Sequence, residues 1–290
     1  MSTQQSLADL ASLISLQATR EGYSTSSLPG LGYVRQSASS PHECSMYEPV
    51  LCLILRGRKR TTAGPLDVHF GPGESLIVSH DLPVMSEVTD APYLALILAL
   101  DMDILGTLVD QIQAVDLDES ESSSLAVHAT DEALIDALLR YARLADNPIE
   151  TAVLAPLILK EIHFRLATAP HGGMLRTLLR TESTEHAVSK AIQVIRTRYR
   201  EALSVPELAS RFGMSESTFH RHFRSVTGTT PLQYQKTLRL LEARRLISSA
   251  GFRISSAAYE VGYASSTQFS REYSREFGVP PREHANGASN

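Results

Sequence analysis

Two short stretches of this 290-residue sequence carry side chains suited to reading a nucleic acid. In ESTFHRHFRSVT, residues 216–227, Phe219 and Phe223 stand four apart, so on a helix both point to one side. Ser217, His220, Arg221 and Arg224 then take the outward side. A guanidinium can donate two parallel hydrogen bonds to O6 and N7 of guanine, and an imidazole can donate to the same acceptors. Arg224, near the helix end, is better sited for a phosphate. In STQFSREYSREF, residues 266–277, Phe269 and Tyr273 repeat the spacing. Ser266, Thr267, Ser270 and Arg271 face out there, with Arg271 the strongest candidate for a base or phosphate contact.

Both stretches belong to a longer duplication. Val205, Ala209, Phe212 and Gly213 match Ile254, Ala258, Val261 and Gly262 at an offset of 49, and Phe219, Phe223, Gly228 and Pro231 match Phe269, Tyr273, Gly278 and Pro281 at 50. In the first copy Ser204 and Glu207 have the spacing of a capping box, Leu208 and Ala209 begin an apolar face, Gly213 ends the helix and Ser215 caps the next. Helix, glycine turn and second helix make a helix-turn-helix, whose second helix enters the major groove of DNA. The motifs are expected near 205–226 and 254–276. Between them YQKTLRLLEARRLISSAG reads as one long helix, with Leu238, Leu241, Ala243, Leu246 and Ile247 available to pack on both motifs. Arg244 and Arg245 have two readings, as backbone contacts or as a solvated, salt-bridged face. A stiff connection would set two recognition helices about one DNA turn apart, roughly 34 Å, so one chain can read an asymmetric site.

Residues 185–284 resemble the DNA-binding domain of AraC/XylS-family transcription regulators. The likeness rests on ELASRFGMSESTFHRHFR, TGTTPLQY, RLLEARRLI and AAYEVGYASSTQFSREYSREFGVPP. It assigns base contacts to Ser217, His220 and Arg221. The second copy departs from the family pattern at Ala257, at Tyr273 where Phe is usual, at Ser274 where a cation is common, and at His284 near a usual aromatic. Weaker phosphate binding by the second motif is therefore expected. Upstream, YEPVLCLILRGRKR, LIVSHDLPV and PYLALILALD resemble the N-terminal sensor domain of one AraC subgroup. The resemblance implies a small-molecule effector, contact with RNA polymerase during activation, and helices after the sensor that often form a homodimer.

The front half agrees with that fold. Between residues 31 and 100, short apolar runs such as VLCLIL, ESLIVS and YLALILAL are punctuated by Gly, Pro and Asp, as in a barrel or sandwich. Helical periodicity follows, with Leu154, Leu157, Ile158, Ile162 and Leu166 forming a stripe in ETAVLAPLILKEIHFRLAT; its simplest reading is core. The expected fold is α+β: a small, cupin-like N-terminal β-barrel with trailing helices over 1–167, a linker over 168–184, and an all-α DNA-binding domain over 185–286.

Charge divides the same way. Residues 185–284 hold 15 Lys+Arg against 9 Asp+Glu, a net of +6, and the remainder holds 12 against 23, a net of −11. A polyanion partner is implied for the basic end alone. No apolar run approaches the ~20 residues of a membrane span. Two cysteines give no disulfide framework, so a cytoplasmic location is expected. His42, His69 and His80 lack a His-x-His pair, so no metal or other cofactor is expected. Ser79-His80-Asp81 is a run of neighbours, whose side chains would alternate on a strand, and gives no catalytic triad. An enzyme is not expected. Cys52 reads as a small buried hydrophobe and Cys44 as a loop thiol; a redox or electrophile sensor acting through either is the alternative to a small-molecule sensor. The RGRKR run, Arg56 to Arg60, reads as a solvated hairpin face, with contact to an anionic ligand or to the DNA as the alternative.

Overall fold

Aliphatic runs without polar interruption form strands only where both faces are covered, and two such runs organise the front half. The computed structural model describes residues 3–112, 124–169, 172–180 and 183–287. Helix α1 (Thr3–Gln17) precedes strands β1 (Gly22–Thr25), β2 (Leu31–Gln36), β3 (Glu43–Tyr47), β4 (Val50–Ala63), β5 (Leu66–Phe70), β6 (Glu74–Val78) and β7 (Leu82–Ala99). Then come α2 (Met102–Ile112), β8 (Leu125–Ala129), α3 (Glu132–Arg143), a 3-10 turn (Leu144–Asp146), α4 (Pro148–Thr168) and α5 (Gly173–Leu179). Every pairing is antiparallel, in the order β1-β2-β7-β4-β6-β8, with β3 also on β7 and β5 also on β4. The α+β arrangement agrees with the sequence, but among the described residues this path has two ends, so hydrogen bonding does not close the sheet into a ring.

Side-chain alternation divides β4 between two cores. Leu51, Leu53 and Leu55 pack with α1, α3 and α4 in an outer core, alongside Leu94, Leu96 and Leu98 of β7. Cys52 and Ile54 face an inner core with Phe70, Leu76, Val78 and Tyr93. The register then slips between Ile54 and Lys59, around Gly57 with its φ of +76°. A Cβ on Gly57 would collide with the Asp90 carbonyl, so glycine is required there. Beyond the slip the parity is reversed: Thr61 and Ala63 are the buried residues, and Lys59 turns inward with them.

The α4 stripe corrects the expectation. Ile162 and Leu166 are fully buried, as is His163, whose Nε2 accepts from the Asp101 amide at 2.8 Å. Leu157, by contrast, is 63% exposed and Leu154 38%, with Ile149 and Val153 beside them at 81% and 63%. The helix buries one narrow side and leaves an apolar one uncovered.

The back half is helical: α6 (Thr184–Thr197), α7 (Val205–Arg211), α8 (Glu216–Thr227), α9 (Pro231–Ser249), α10 (Ile254–Glu260), α11 (Ser266–Phe277) and α12 (Pro281–Gly287). The two halves touch. Asp81, buried, binds Arg196 and accepts from Gln193 Nε2 at 2.8 Å, while the Tyr234 hydroxyl donates to the Asp81 carbonyl at 2.9 Å. The β4–β5 turn abuts the end of α8 so closely that a Cβ on Gly64 would overlap Gly228.

Candidate nucleic-acid interface

Each motif is built on one aromatic pair. Phe219 and Phe223 are fully buried with ring centroids 5.6 Å apart, and Tyr234 of α9 meets Phe223 edge-on. These rings join Val188, Ile192, Leu208 and Ala209 in the core of a first module, α6 to α8. Phe269 and Tyr273 repeat the arrangement at 5.4 Å, within a second core that includes Leu240, Ala243, Ile247, Ala257 and Ala258. The second helix of each module is capped by a serine, Ser215 to the Thr218 amide and Ser265 to the Gln268 amide. Each ends at a glycine in the left-handed conformation, Gly228 at φ +72° and Gly278 at φ +73°. Ser204 occupies the N-cap of α7 but its side chain makes no capping hydrogen bond, so the expected capping box is absent; Pro206 in the first turn supplies the start.

With the rings inward, Ser217, Arg221 and Arg224 are exposed on α8 and His220 is half-buried, 3.9 Å from Glu216. On α11 Thr267 and Arg271 are exposed. Ser266 and Ser270 are half-buried, and the Ser270 hydroxyl donates to the Ser266 carbonyl at 2.9 Å, which leaves it free only as an acceptor. The eight sequence candidates therefore lie on the outer sides of two second helices. Among the described residues no carboxylate lies within 4 Å of Arg221, Arg224 or Arg271. Arg275, not singled out in the sequence, is exposed one turn beyond Arg271, and the two flank a groove of about 330 Å³ with Gln268 and with Lys236, which pairs with Glu272 at 3.7 Å. The four-residue spacing of two arginines was the available signal. Arg244 and Arg245 belong to ion pairs, with Glu43 at 3.1 Å and Glu242 at 2.7 Å.

Tyr273 and His284 account for each other. The Tyr273 hydroxyl and His284 Nδ1 are 3.0 Å apart, and the imidazole meets the rings of Tyr273 and Phe277 edge-on. Two polar substitutions in an aromatic core thus satisfy one another's hydrogen-bonding need.

The front half has a cavity of about 410 Å³, opening off the inner core and lined by Met46, Tyr47, Glu48, Cys52, Lys59 and Ile97 among others. Lys59 Nζ donates to the Tyr47 hydroxyl at 2.6 Å and lies 5.3 Å from that ring's centre. Lys59 therefore leaves the solvated RGRKR face that the sequence suggested.

The thiols give no support to a redox sensor. Cys44 is in strand β3 rather than a loop, and burial, then Glu276, push its thiol up to about 12. Burial also raises the Cys52 thiol above its ordinary value. Ser79-His80-Asp81 sits between β6 and β7, all three buried, with Asp81 holding Arg196. Among the described residues no group of three or more His, Cys, Asp or Glu is arranged to hold a metal, and no helix is long and apolar enough to cross a membrane.

Tandem capped helix pairs, each presenting a polar second helix, define a two-motif helix-turn-helix protein, and comparison with known proteins agrees. A helix-turn-helix domain model matches residues 208–287, and the family model described as an AraC-type transcriptional regulator N-terminus matches residues 27–174, just over half of the chain. The chain belongs to the AraC-type, DNA-binding transcriptional regulators. It is similar to the HTH-type transcriptional activator RhaS of Escherichia fergusonii, 36% identical over 106 residues, which are 37% of this chain and 38% of that one. RhaS of Yersinia pestis is 34% identical over 102 residues, 35% and 37% of the two chains. The chain thus spans less than two fifths of these curated relatives. ToxT from Vibrio cholerae shares the fold over 93% of this chain and 100% of its own, with a TM-score of 0.60 at 11% identity. A structure of ToxT bound to an unsaturated fatty acid matches with a TM-score of 0.60 at 10% identity, over 92% and 97%.

The Tyr273–His284 pair gives a pH prediction. Burial, with Arg244 nearby, holds the imidazole below the ordinary histidine value of 6.5, against Glu43 and Glu283, so the unfolded chain binds this proton more readily. Its stabilising contribution is present above 6.5 and lost as pH falls below it. In denaturant unfolding, His284→Phe is expected to lose less stability than the wild type between about pH 7 and about pH 5. Parallel losses in the two proteins would remove His284 from the acid response.

Proposed function

We propose that this chain is a cytoplasmic, sequence-specific activator that binds promoter DNA through both modules and answers to a small molecule held in the β-sheet half. The proposed division is 1–167 for sensing and dimerisation, 168–184 as linker and 185–286 for DNA. The observation that carries the reading is the pair of exposed second helices with unneutralised arginines. On α8, Ser217, His220 and Arg221 read base edges and Arg224 takes a phosphate. On α11, Ser266, Thr267, Ser270 and Arg271 do so, with Arg275 adding positive charge beside them. RNA polymerase is the partner that activation requires, and no catalytic step is part of the reading.

Binding of the chain to its own upstream DNA and to random DNA, across a salt series, tests this. Arg221→Ala should cost about 1–3 kcal/mol of discrimination at one base pair, and Arg224→Ala should weaken all sequences alike and lower the salt slope by about one. Variants indistinguishable from the parent on both DNAs would refute the assignment of α8.

The cavity supports the effector reading, being within the roughly 300–1,000 Å³ usual for small-molecule sites. Among its lining residues Glu48 is spent on Arg196, at 2.6 Å, whereas Lys59 has no carboxylate within 4 Å among the described residues. A recessed ammonium in apolar walls favours an apolar ligand with one anionic group. The fatty acid bound by ToxT, of the same fold, is of that class. Calorimetry with octanoate and 1-octanol is expected to detect octanoate alone, and Lys59→Met should abolish its binding. Equal binding of the alcohol would discard the anion requirement.

The uncovered side of α4 supports a homodimer. Exposed Glu150 and Lys160 bracket Val153 and Leu157, so an antiparallel second copy would bring each charge opposite its complement. Leu157→Glu should convert a sedimenting dimer to monomer without unfolding it; a wild-type chain that sediments as monomer would end this reading.

A further inference from the structure

We propose that strand β3 sets the orientation of the two helix-turn-helix modules relative to one another. The modules have separate cores: no buried residue is common to the cluster around Phe219 and Phe223 and the cluster around Phe269 and Tyr273. Helix α9 runs through both, giving Tyr234 to the first and Leu240, Ala243 and Ile247 to the second. The turn after α6 adds a second tie, where Arg200 pairs with Glu260 at 2.9 Å. Strand β3 and the residue after it add a third, and this one comes from the other half of the chain.

At one end of β3, Met46 packs on the first core, and its sulfur lies 3.9 Å from the Tyr234 hydroxyl. Glu48, just past the strand, pairs with Arg196 of α6 at 2.6 Å. At the other end Glu43 pairs with Arg244 at 3.1 Å, and Arg244 donates to the Cys44 carbonyl at 2.9 Å. The Cys44 thiol donates to Glu276 of α11 at 3.7 Å. Residues 234 to 244 of α9 rise about 15 Å, and the extended chain from Glu43 to Glu48 covers about 17 Å. The strand therefore lies along α9 as a strut of matching length, one end on each module.

A strut works only if it is stiff. β3 pairs with β7 along its whole length, from Glu43 opposite Ser86 to Tyr47 opposite Leu82. A two-module reader gains from both recognition helices only when they meet successive major-groove segments together, and an error in their angle forfeits one of them. Met46, Tyr47 and Glu48 also line the cavity. Resting on the reading of that cavity as the effector site, occupancy shifts the strut and so changes which spacing of DNA segments the chain accepts.

The test uses the full chain and DNA selected from a random-sequence pool by the wild type, in duplexes with both segments intact or with one scrambled. The double variant Glu43→Gln, Met46→Ala should bind the two-segment duplex about tenfold more weakly and the scrambled duplex within about twofold of wild type. It should also tolerate one inserted base pair between segments better than the wild type does. Exchanging the charges, Glu43→Arg with Arg244→Glu, should restore the preference for intact over scrambled DNA. Equal losses on both duplexes would reduce β3 to a structural support and overturn the proposal, as would no loss on either. Should octanoate leave wild-type DNA binding unchanged while the double variant still loses its preference, the strut stands and the effector reading falls.

Discussion

The pairing of β4 with β7 is the constraint from which the front half follows. Over residues 51–55 and 93–96 both strands are buried on two faces, so each consecutive side chain there must satisfy a different core. Such strands cannot slide by one residue without exchanging the cores, which makes their register hard to alter. The slip around Gly57 is therefore a fixed feature of the sheet, and it changes what the second half of β4 presents to the interior. Upstream the inner positions are apolar, Cys52 and Ile54; downstream one of them is a lysine, recessed against Tyr47. A cavity with a recessed ammonium arises where the sheet changes parity.

In the back half the recurring element is an aromatic pair four residues apart, supported from α9. The modules differ in how they complete that pair. The first adds Tyr234, whose hydroxyl leaves the core to reach the Asp81 carbonyl in the β half. The second adds Phe277 and His284, and its polar atoms are satisfied internally. The first module is thus hydrogen-bonded to the β half from within its core, whereas the second reaches that half from its surface, through Arg244 and Glu276.

Local signals were enough for most of the helical half, although they put a capping box at Ser204 and Leu241 rather than Leu240 on the packed side of α9. The i, i+4 aromatics, serine caps, terminal glycines and Pro231 each act within one or two turns, so Phe219, Phe223 and the outward residues could be assigned from spacing. What could not be read depended on partners distant in sequence. Alternation from Cys52 and Ile54 gives the wrong face for Lys59, because the bulge that reverses it is specified by pairing with β7. Cys44 looked like loop because HEC carries no strand signal; its extended form comes from pairing with Met85. The α4 stripe could not be divided into covered and uncovered parts, since Leu157 and Ile162 are equally apolar and differ only in whether a neighbour lies above them.

The junction between the halves has the composition of a contact that can be remade. Its members are ion pairs, hydrogen bonds and a glycine against a glycine, and its apolar part includes the partly buried Met46 on the first module's core. Its polar members are groups that water can satisfy once the surfaces part. Asp81 gives the junction its specificity. Burial pushes its carboxyl up, against the pull of Arg196, so the group is costly to keep ionised unless Arg196 and Gln193 stay in place. A junction built on that carboxylate is specific: it closes where Arg196 and Gln193 of α6 meet Asp81.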